Sequence, residues 1–575
     1  MQITGAELFV KSLQKENVDV LFAYPGGQAI DLFNALYGQD GIEMILPRHE
    51  QALVHAADGY ARSTGKVGVC LVTSGPGATN LVTGIATANY DSVPLVCFTG
   101  QVPTSLIGND AFQEVDTVGI TRSITKYTVT VRDREDLAMT IKKAFYIARS
   151  GKPGVVVVDL PKDIQQAYGS DYYPDTIEIR SYKPNTSVHS RQVKKAIDIL
   201  HDAKRPVFLI GGGVNIARAG AEMTKLAEKT GIPVVTTIMG KGALPTDHEL
   251  YIDNLGIHGS YAANSAISNC DVLLSIGTRF NDRITGKVGE FAKNAKIIHV
   301  DIDPASISRN IVVDVPIVAD AKNAINALLE KAEKLPIEDW MKQINEWKQS
   351  YPLVMKNTHM TPQIIIQKIN ETFKEAVITT DVGQNQLWAT QFLELNGSKQ
   401  MLTSGGLGTM GYGFPAALGA KIGNPEKDVI VITGDGGMQM NIQEMATAVV
   451  YELPVIICIM NNGYLGNVRQ WQEMFFNKRY SSTCMRHRKS CPSPCSTPGN
   501  NCPEYTPDFV RLAESYGAKG IRVEKVEDIV PALLSAKKNS KSPTVIEFII
   551  EREENVLPIV PPGSPLSDMI MESKE

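Results

Sequence analysis

Twelve apolar runs rich in β-branched residues punctuate the chain, and they fall into three groups of four. VDVLFAY (18–24), VGVCLVTS (67–74), VPLVCFTG (93–100) and GVVVVDLP (154–161) form the first group. RPVFLIGGG (205–213), IPVVTT (232–237), CDVLLSIG (270–277) and AKIIHVDID (295–303) form the second. AVITTD (376–381), DVIVITGD (428–435), LPVIICIMNN (453–462) and PTVIEFII (543–550) form the third. Short continuous apolar runs read as strands buried on both faces, and helical periodicity fills the gaps between them. Alternating strands and helices predict parallel sheets covered by helices on both sides. The fold class is therefore α/β, with three doubly wound parallel-sheet domains at about 1–164, 189–335 and 362–550. Residues 165–188, polar and holding two prolines, read as a linker, as do residues 336–361; the Pro-rich tail 551–575 reads as irregular.

The most specific local pattern lies in the third group. Gly434-Asp435-Gly436 follows one strand and Asn461-Asn462 follows the next, with 27 positions from Asp435 to Asn462. The intervening Asn441 to Glu452 (NIQEMATAVVYE) reads as a helix. A strand–helix–strand unit has parallel strands, so Asp435 and Asn462 should emerge at the same carboxyl edge, where open α/β sheets bind ligands. A carboxylate and an amide oxygen suit a hard cation such as Mg²⁺, which takes its remaining ligands from phosphate and water. Gly434, Gly436 and Gly437 leave backbone N–H groups free to approach a phosphate at a helix start. Each piece alone is also common loop chemistry; the pair within one unit is the signal.

Length and composition narrow the class. At 575 residues, 43% hydrophobic and 21% charged, the chain is an ordinary multidomain globular protein. A net charge of −5 gives no support for nucleic-acid binding. No basic start followed by an apolar core opens the chain, so no signal peptide is expected; Thr4 and Glu7 instead read as a capping box. No apolar run approaches the roughly 18 residues needed to span a bilayer, so no membrane partner is expected, and a cytoplasmic enzyme is. Cys70, Cys97, Cys270 and Cys458 lie singly in apolar contexts and read as buried hydrophobes.

In the first group, Glu50 opens a long helical run. A Glu there is favoured by the helix dipole, or it is an acid that holds a proton on a cofactor ring nitrogen. With the Asp435–Asn462 pair, the second reading gains force. YPGG (24–27), RHEQ (48–51), TSGPGATN (73–80), GNDAFQE (108–114), DLPKDIQ (159–165), GTRFNDR (277–283), TDVGQNQ (380–386), GGLGTMGYGFPAALGA (405–420), GDGGMQMN (434–441) and VRQWQ (468–472) occur in this order. Together they make the chain closely similar to the catalytic large subunit of acetohydroxyacid (acetolactate) synthases, in the biosynthetic, FAD-containing branch of the thiamine diphosphate enzymes.

That resemblance implies decarboxylation of pyruvate and ligation to a second 2-oxo acid, pyruvate or 2-oxobutanoate. The products would be 2-acetolactate or 2-aceto-2-hydroxybutanoate, the first common step of branched-chain amino acid biosynthesis. Glu50 would activate thiamine diphosphate, and Gly27, Gln113 and Lys162 would act at the reacting carbon. Gly383, Gln384, Asn385, Gly408, Met410, Gly434, Gly436, Gly437 and Met438 would bind the cofactor; Asn385 stands where the family often has His. Asp435, Asn462 and the main-chain carbonyl of Tyr464 would hold Mg²⁺. Pro103, Phe112 and Trp471 would line the substrate channel. A structural FAD would meet Lys152, Gly212, Gly213, Asn215, Gly256, His258, Arg279, Arg283, Asp301 and Asp320; relatives commonly carry Arg in place of Lys152. A homodimer or homotetramer with active sites between subunits, and a small regulatory subunit, complete the expectation.

One segment departs from the family. Residues 482–506 are an insert in which Cys484, Cys491, Cys495 and Cys502 crowd into 19 positions as C-x6-C-x3-C-x6-C. The spacing lacks the paired C-x2-C of zinc ribbons. Zinc or an iron–sulfur cluster, a disulfide or redox switch, and a plain Pro/Gly loop all remain open readings. Rival functions are another thiamine diphosphate enzyme, such as a pyruvate oxidase or a flavin-free catabolic acetolactate synthase, and a catalytically silent flavoprotein or iron–sulfur carrier. Gln113, Trp471 and RFNDR argue against the former, and an intact Glu50, Asp435 and Asn462 against the latter.

Overall fold

The computed structural model describes residues 2–355, 359–397, 399–492, 495 and 502–572. Three six-stranded sheets, parallel throughout, carry the chain. In the first, the spatial order is Glu43–Ile45, Val20–Ala23, Gly68–Val72, Leu95–Gln101, Val155–Pro161, Tyr127–Thr130. The third has Gln400–Leu402, Ala376–Thr380, Asp428–Gly434, Ile456–Asn461, Thr544–Ile549, Lys519–Val523. Counted within each sheet, both follow the order 2-1-3-4-6-5. The central sheet runs Tyr251–Asn254, Val234–Thr236, Pro206–Ile210, Val272–Ile276, Lys296–Asp301, Val315–Val318, which is the 3-2-1-4-5-6 order of dinucleotide-binding folds.

All twelve apolar runs are strands, and the α/β expectation holds. What the apolar pattern leaves out is the same in every sheet: the two edge strands. Glu43–Ile45, Tyr127–Thr130 and Lys519–Val523 are largely half-exposed or exposed. An edge strand is covered on fewer sides than a central one, so its sequence need not be apolar throughout. Two other segments are more ordered than their composition suggests. Tyr168–Ser170 pairs antiparallel with Gln2–Thr4, and Glu338–Ser350 is a helix whose buried Trp340 donates its indole N–H to the Pro206 carbonyl at 3.1 Å. The tail also packs: Val560 donates its amide to Ile257 O at 2.8 Å, and Val560 and Leu566 join the central core. Thr4 and Glu7 form the expected capping box.

The first and third domains meet along two helices. Glu50–Thr64 lies lengthwise on Gly413–Gly423, and the contact is backbone to backbone. A Cβ on Gly59 would sit 2.0 Å from the Ala416 carbonyl oxygen, and one on Gly419 would sit 1.7 Å from that of Ala56. Only glycine fits at these two crossings. Around them a buried ionic group closes the interface. Arg62 lies 2.7 Å from Asp58 and 3.0 Å from Asp91. The Tyr412 hydroxyl donates to Asp58 at 2.6 Å, and Arg62 also donates to the Thr403 carbonyl at 3.0 Å.

Gly419→Val should force these helices apart. The expected cost is about 2 kcal/mol or more, as for other overpacked interiors, read as a lower denaturant midpoint. An unchanged midpoint would mean that the two backbones are not in contact in solution.

Candidate active site

Both ends of the candidate chemistry sit at carboxyl edges of sheets. In the third domain a pocket opens at the switch point between Ala376–Thr380 and Asp428–Gly434, where the strand order reverses. Val382, Gly383, Gln384, Asn385, Met410, Gly434, Asp435, Gly436, Gly437, Asn462 and Tyr464 line it. Of the residues expected around the cofactor and cation, Gly408 and Met438 fall outside this lining; the Met438 side chain is 2% exposed and belongs to the core. The helices Gln384–Phe392 and Gly466–Phe475 both begin at the pocket, and their unpaired N–H groups favour an anion. Leu465, Gly466, Asn467 and Val468 were not anticipated as lining; Gly466, which opens the second of these helices, is the only local cue to them.

The helix expected over 441–452 forms over Glu444–Val450, with shifted ends. Asp435–Met440 is one helix, Asn441 to Gln443 turn, and Glu444–Val450 is a second. The side chain of Asn441 explains the break: it donates to the Gly411 carbonyl at 2.8 Å, and its own backbone leaves the helical region. Asp435 consequently opens the first helix, with Gly434 as its N-cap residue.

Asp435 is buried, and its Oδ2 has no hydrogen-bond partner. Burial raises its carboxyl to about 7, against the lowering effect of the Tyr505 hydroxyl and nearby backbone N–H groups. A buried carboxylate with an orphan oxygen is costly unless a cation meets it. Asn462 turns its side chain toward the same space. Its Oδ1 accepts from Tyr464 N at 3.0 Å, and its Nδ2 donates to Gln384 Oε1 at 3.2 Å. These donors could hold a hard divalent cation.

A second buried carboxylate went unrecognised in the sequence. Asp381 accepts from the amides of Val382 at 2.8 Å, Gly411 at 3.0 Å and Gly413 at 3.1 Å, and burial raises it to about 6. It thereby fixes the two loops that carry Gly383 and Met410. Gly437 serves this packing as well, since a Cβ there would meet Asp381 Oδ1 at 2.3 Å. Asn385 donates to the carbonyls of Asp381 at 3.2 Å and Ile432 at 3.0 Å, tying the two strand ends together.

The first domain gathers the other group. Glu50 accepts from Asn80 Nδ2 at 2.9 Å and lies beside Gly77. Gln113, at φ 61°, sits against Gly75 in the same turn. Lys162 donates to the Gly27 carbonyl at 2.9 Å. Pro103 follows the strand Leu95–Gln101, and Phe112 is 85% exposed. Within one chain these residues are absent from the lining of the Asp435 pocket. Glu50 is nevertheless anchored to the third domain: the Arg48 amide donates to both oxygens of Glu444 at 3.0 and 3.1 Å.

In the central domain a cavity of about 290 Å³ lies at the switch point between Pro206–Ile210 and Val272–Ile276. Lys152, Gly212, Gly213, Arg279, Arg283, Asp301 and Asp320 line it. Burial raises Asp301 to about 6, and Lys152 pairs with Asp303 at 3.3 Å. Asn215, Gly256 and His258 do not line it. Asn215 donates to Met239 O at 2.8 Å, a Cβ on Gly256 would meet Arg283 O at 2.4 Å, and His258 Nδ1 lies 3.2 Å from Pro558 O. The Arg283 guanidinium reaches over the Trp471 ring at 5.9 Å, joining this cavity's rim to the third domain.

The four insert cysteines do not converge. None of the chain's cysteines is in a disulfide, and among the described residues no group of three or more His, Cys, Asp or Glu is arranged to hold a metal. Cys484 pairs across a bridge with Tyr464, and Cys491 Sγ accepts from Arg488 N at 3.3 Å. Residues 493–494 and 496–501 of the insert lie outside the described residues.

Comparison with known proteins agrees with this geometry. The chain matches family models described as the thiamine pyrophosphate enzyme N-terminal TPP binding domain (residues 3–120), central domain (193–328) and C-terminal TPP binding domain (381–548). It is 46% identical to a probable acetolactate synthase large subunit of Methanocaldococcus jannaschii, over 98% of this chain and 95% of that one. The chain belongs to the acetolactate synthase large-subunit family of thiamine pyrophosphate enzymes. Other acetolactate synthase large subunits are similar end to end. That of Corynebacterium glutamicum is 45% identical over 99% of this chain and 90% of its own length, and the isozyme 3 large subunit of Escherichia coli is 42% identical over 100% and 99%. Among the described residues no helix is long and apolar enough to cross a membrane.

Glu444 offers a pH signature of the anchor beneath Glu50. Burial lifts its carboxyl from an ordinary 4.5 to about 7, despite bonds from Thr447 and Arg48. The folded state therefore holds this proton more tightly than the unfolded chain. Between about pH 4.5 and 7 the folded state binds more protons, so this group's contribution to stability falls as pH rises. Glu444→Gln should remove that slope, worth on the order of 1–3 kcal/mol. Melting temperatures of both proteins at pH 5 and pH 7.5 would show it; parallel shifts would refute it.

Proposed function

We propose that this chain is the catalytic subunit of an acetolactate synthase that decarboxylates pyruvate and joins the resulting two-carbon unit to a second 2-oxo acid, pyruvate or 2-oxobutanoate. The products would be 2-acetolactate or 2-aceto-2-hydroxybutanoate, feeding branched-chain amino acid synthesis in the cytoplasm. The observation that carries this reading is the orphan Asp435 oxygen beside Asn462 in a pocket faced by two helix starts. That donor set fits Mg²⁺ bound to a diphosphate.

When bound, thiamine diphosphate supplies the carbon centre that takes up the electrons of decarboxylation. The protein's part is to hold and to exclude. Asp435, Asn462 and the Tyr464 carbonyl hold the cation; Gly383, Gln384, Asn385, Gly434, Gly436 and Gly437 face the diphosphate. Met410, which lines the same pocket, would pack beneath the cofactor. Glu50 would hold a proton at the aminopyrimidine ring nitrogen, which would let the exocyclic amine act as a base. Gln113, Gly27 and Lys162 orient the 2-oxo acid, and Pro103, Phe112 and Trp471 bound its channel and limit water.

Residues 1–164 would bind the pyrimidine end and 362–550 the diphosphate end. That the Asp435 pocket is lined by third-domain residues alone supports completion of the site by Glu50 of a second copy, in a homodimer or homotetramer. The curated relatives are named large subunits, which supports a small regulatory partner. The central cavity, with Asp301, Asp320, Arg279 and Lys152 at a dinucleotide-type switch point, suits FAD. Decarboxylation and ligation have no net redox change, so that flavin is structural. Lys152 keeps the charge that Arg would bring but not its planar fork.

Glu50→Gln should cut acetolactate formation at least 100-fold while thiamine diphosphate still binds, read by a discontinuous pyruvate assay beside a cofactor-binding titration. Equal activity in mutant and wild type would sink the mechanism. The purified protein should be yellow, with a flavin that pyruvate does not reduce at catalytic rates; fast reduction would make it an oxidase instead.

A further inference from the structure

One corner of the first domain fastens both loops that carry the proposed substrate contacts. It is formed by residues 159–165, where the strand Val155–Pro161 passes into the short helix Lys162–Gln166. Two of its side chains reach the Gly27 loop. Lys162 donates to Gly27 O at 2.9 Å, and Gln165 donates to Gln28 O at 2.7 Å. Two more reach the loop 102–116, which carries Pro103, Phe112 and Gln113. Asp163 accepts from the Thr104 amide at 3.0 Å and from the Thr104 hydroxyl. Asp159 accepts from Gln101 Nε2 at 3.1 Å. Gln101 carries that hold across the loop: its Nε2 also donates to Val115 O, and its Oε1 accepts from Val102 N, each at 2.9 Å. One buried amide thus joins the start of the loop to its end. Its polarity is forced. Turned over, the amide would set its oxygen against the Asp159 carboxylate and the Val115 carbonyl, both acceptors. Asp159 is itself 1% exposed and takes the hydroxyls of Thr99 at 2.6 Å and Thr130 at 3.2 Å.

We propose that Gln101 and Asp163 are positioning residues for the substrate: they pin the two feet of the 102–116 loop, hold Gln113 and Phe112 at a fixed separation from Lys162 and Gly27, and so set how well the site distinguishes one 2-oxo acid from another. This rests on the reading of those four residues as the substrate end of an acetolactate synthase. The tip of the loop, residues 105–110, is exposed, so its placement depends on its feet. Gln113, at φ 61°, is seated on Gly75, where a Cβ would come within 3.0 Å of it. A shift of the second foot therefore moves Gln113 off that seat. Misplacing a reacting group by 1 Å costs on the order of 100-fold in rate. Pyruvate and 2-oxobutanoate differ by one methylene, which a fitted pocket distinguishes by roughly 10–200-fold; a loosened wall loses part of that discrimination.

Gln101→Met keeps the volume and removes both ends of the amide. Asp163→Ala, at a partly exposed position, removes the other hold, and Asp163→Asn keeps an oxygen for the Thr104 amide. The test uses the full-length protein with thiamine diphosphate, Mg²⁺ and FAD. It measures kcat and KM for pyruvate, the ratio of the two products formed from mixed pyruvate and 2-oxobutanoate, thiamine diphosphate affinity and melting temperature. Gln101→Met and Asp163→Ala should each lower kcat/KM for pyruvate about 10-fold or more and change the product ratio, with cofactor affinity unaltered. Asp163→Asn should behave like wild type. If Gln101→Met does not fold, the Asp163 pair decides alone. Wild-type kcat/KM and product ratio in the disruptive variants would overturn the positioning role and leave the acetolactate synthase reading standing. So would activity that falls only in step with cofactor affinity and melting temperature, at an unchanged product ratio, since that marks a structural role. If the wild-type protein forms no acetolactate, the functional reading falls and the positioning role falls with it.

Discussion

The crossing of Glu50–Thr64 over Gly413–Gly423 is the constraint on which the rest depends. Helices usually pack with side chains between them, at 8–10 Å. Here two glycines let each backbone rest on the other's carbonyls, so the two domains share a rigid joint. Each end of that joint leads to chemistry. Glu50 opens one helix, and Met410 precedes the other by a three-residue step. The buried Asp58–Arg62–Asp91 group and the Tyr412 hydroxyl lock it against sliding. The placement of Glu50 relative to its own chain's Asp435 pocket is therefore set largely by close backbone contact at Gly59 and Gly419.

The fold was legible wherever burial wrote a continuous apolar run. Each sheet surrendered its four inner strands to inspection and withheld its two edges. Tyr127–Thr130 and Lys519–Val523 show why: partly exposed edge strands interleave apolar with polar or charged residues, so they lack a continuous apolar run. The linkers misled for the opposite reason. Glu338–Ser350 is polar over most of its surface, yet Trp340 and Ile344 are enough to seat it on the central core. The helix expected from Asn441 starts three residues later, at Glu444, because the Asn441 side chain bonds Gly411, distant in sequence, and outweighs local propensity.

Several candidate site residues read from the sequence converge in the structure, while their scaffolding was obscure. Asp435, Asn462, Gln384 and Met410 meet in one pocket, and each sits in a motif that can be read locally. Asp381 does as much to shape the pocket, but its three amide partners come from two separate stretches, and no spacing rule reveals them. The central cavity divides in the same way. Gly213, Arg279 and Asp301 line it, whereas Asn215, Gly256 and His258 turn out to brace the backbone around it. Motif membership identifies a loop; it does not say which of the loop's side chains face the cavity.

A comparison of buried carboxylates separates scaffold from site more sharply than position does. Asp381, Glu444 and Asp435 are all buried at sheet or helix ends, and burial raises the proton affinity of all three. Asp381 is met by backbone amides, and Glu444 by Arg48 N and the Thr447 hydroxyl. Both are satisfied by the protein itself, and their work is structural. Asp435 keeps an oxygen that nothing in the chain bonds. Leaving such an atom unpaired costs about 1–3 kcal/mol or more, a cost that folding alone does not explain. A divalent cation brought in with a diphosphate, as proposed above, would offset it. The unsatisfied oxygen is thus the feature that makes this end of the sheet a binding site and not merely a well-packed turn.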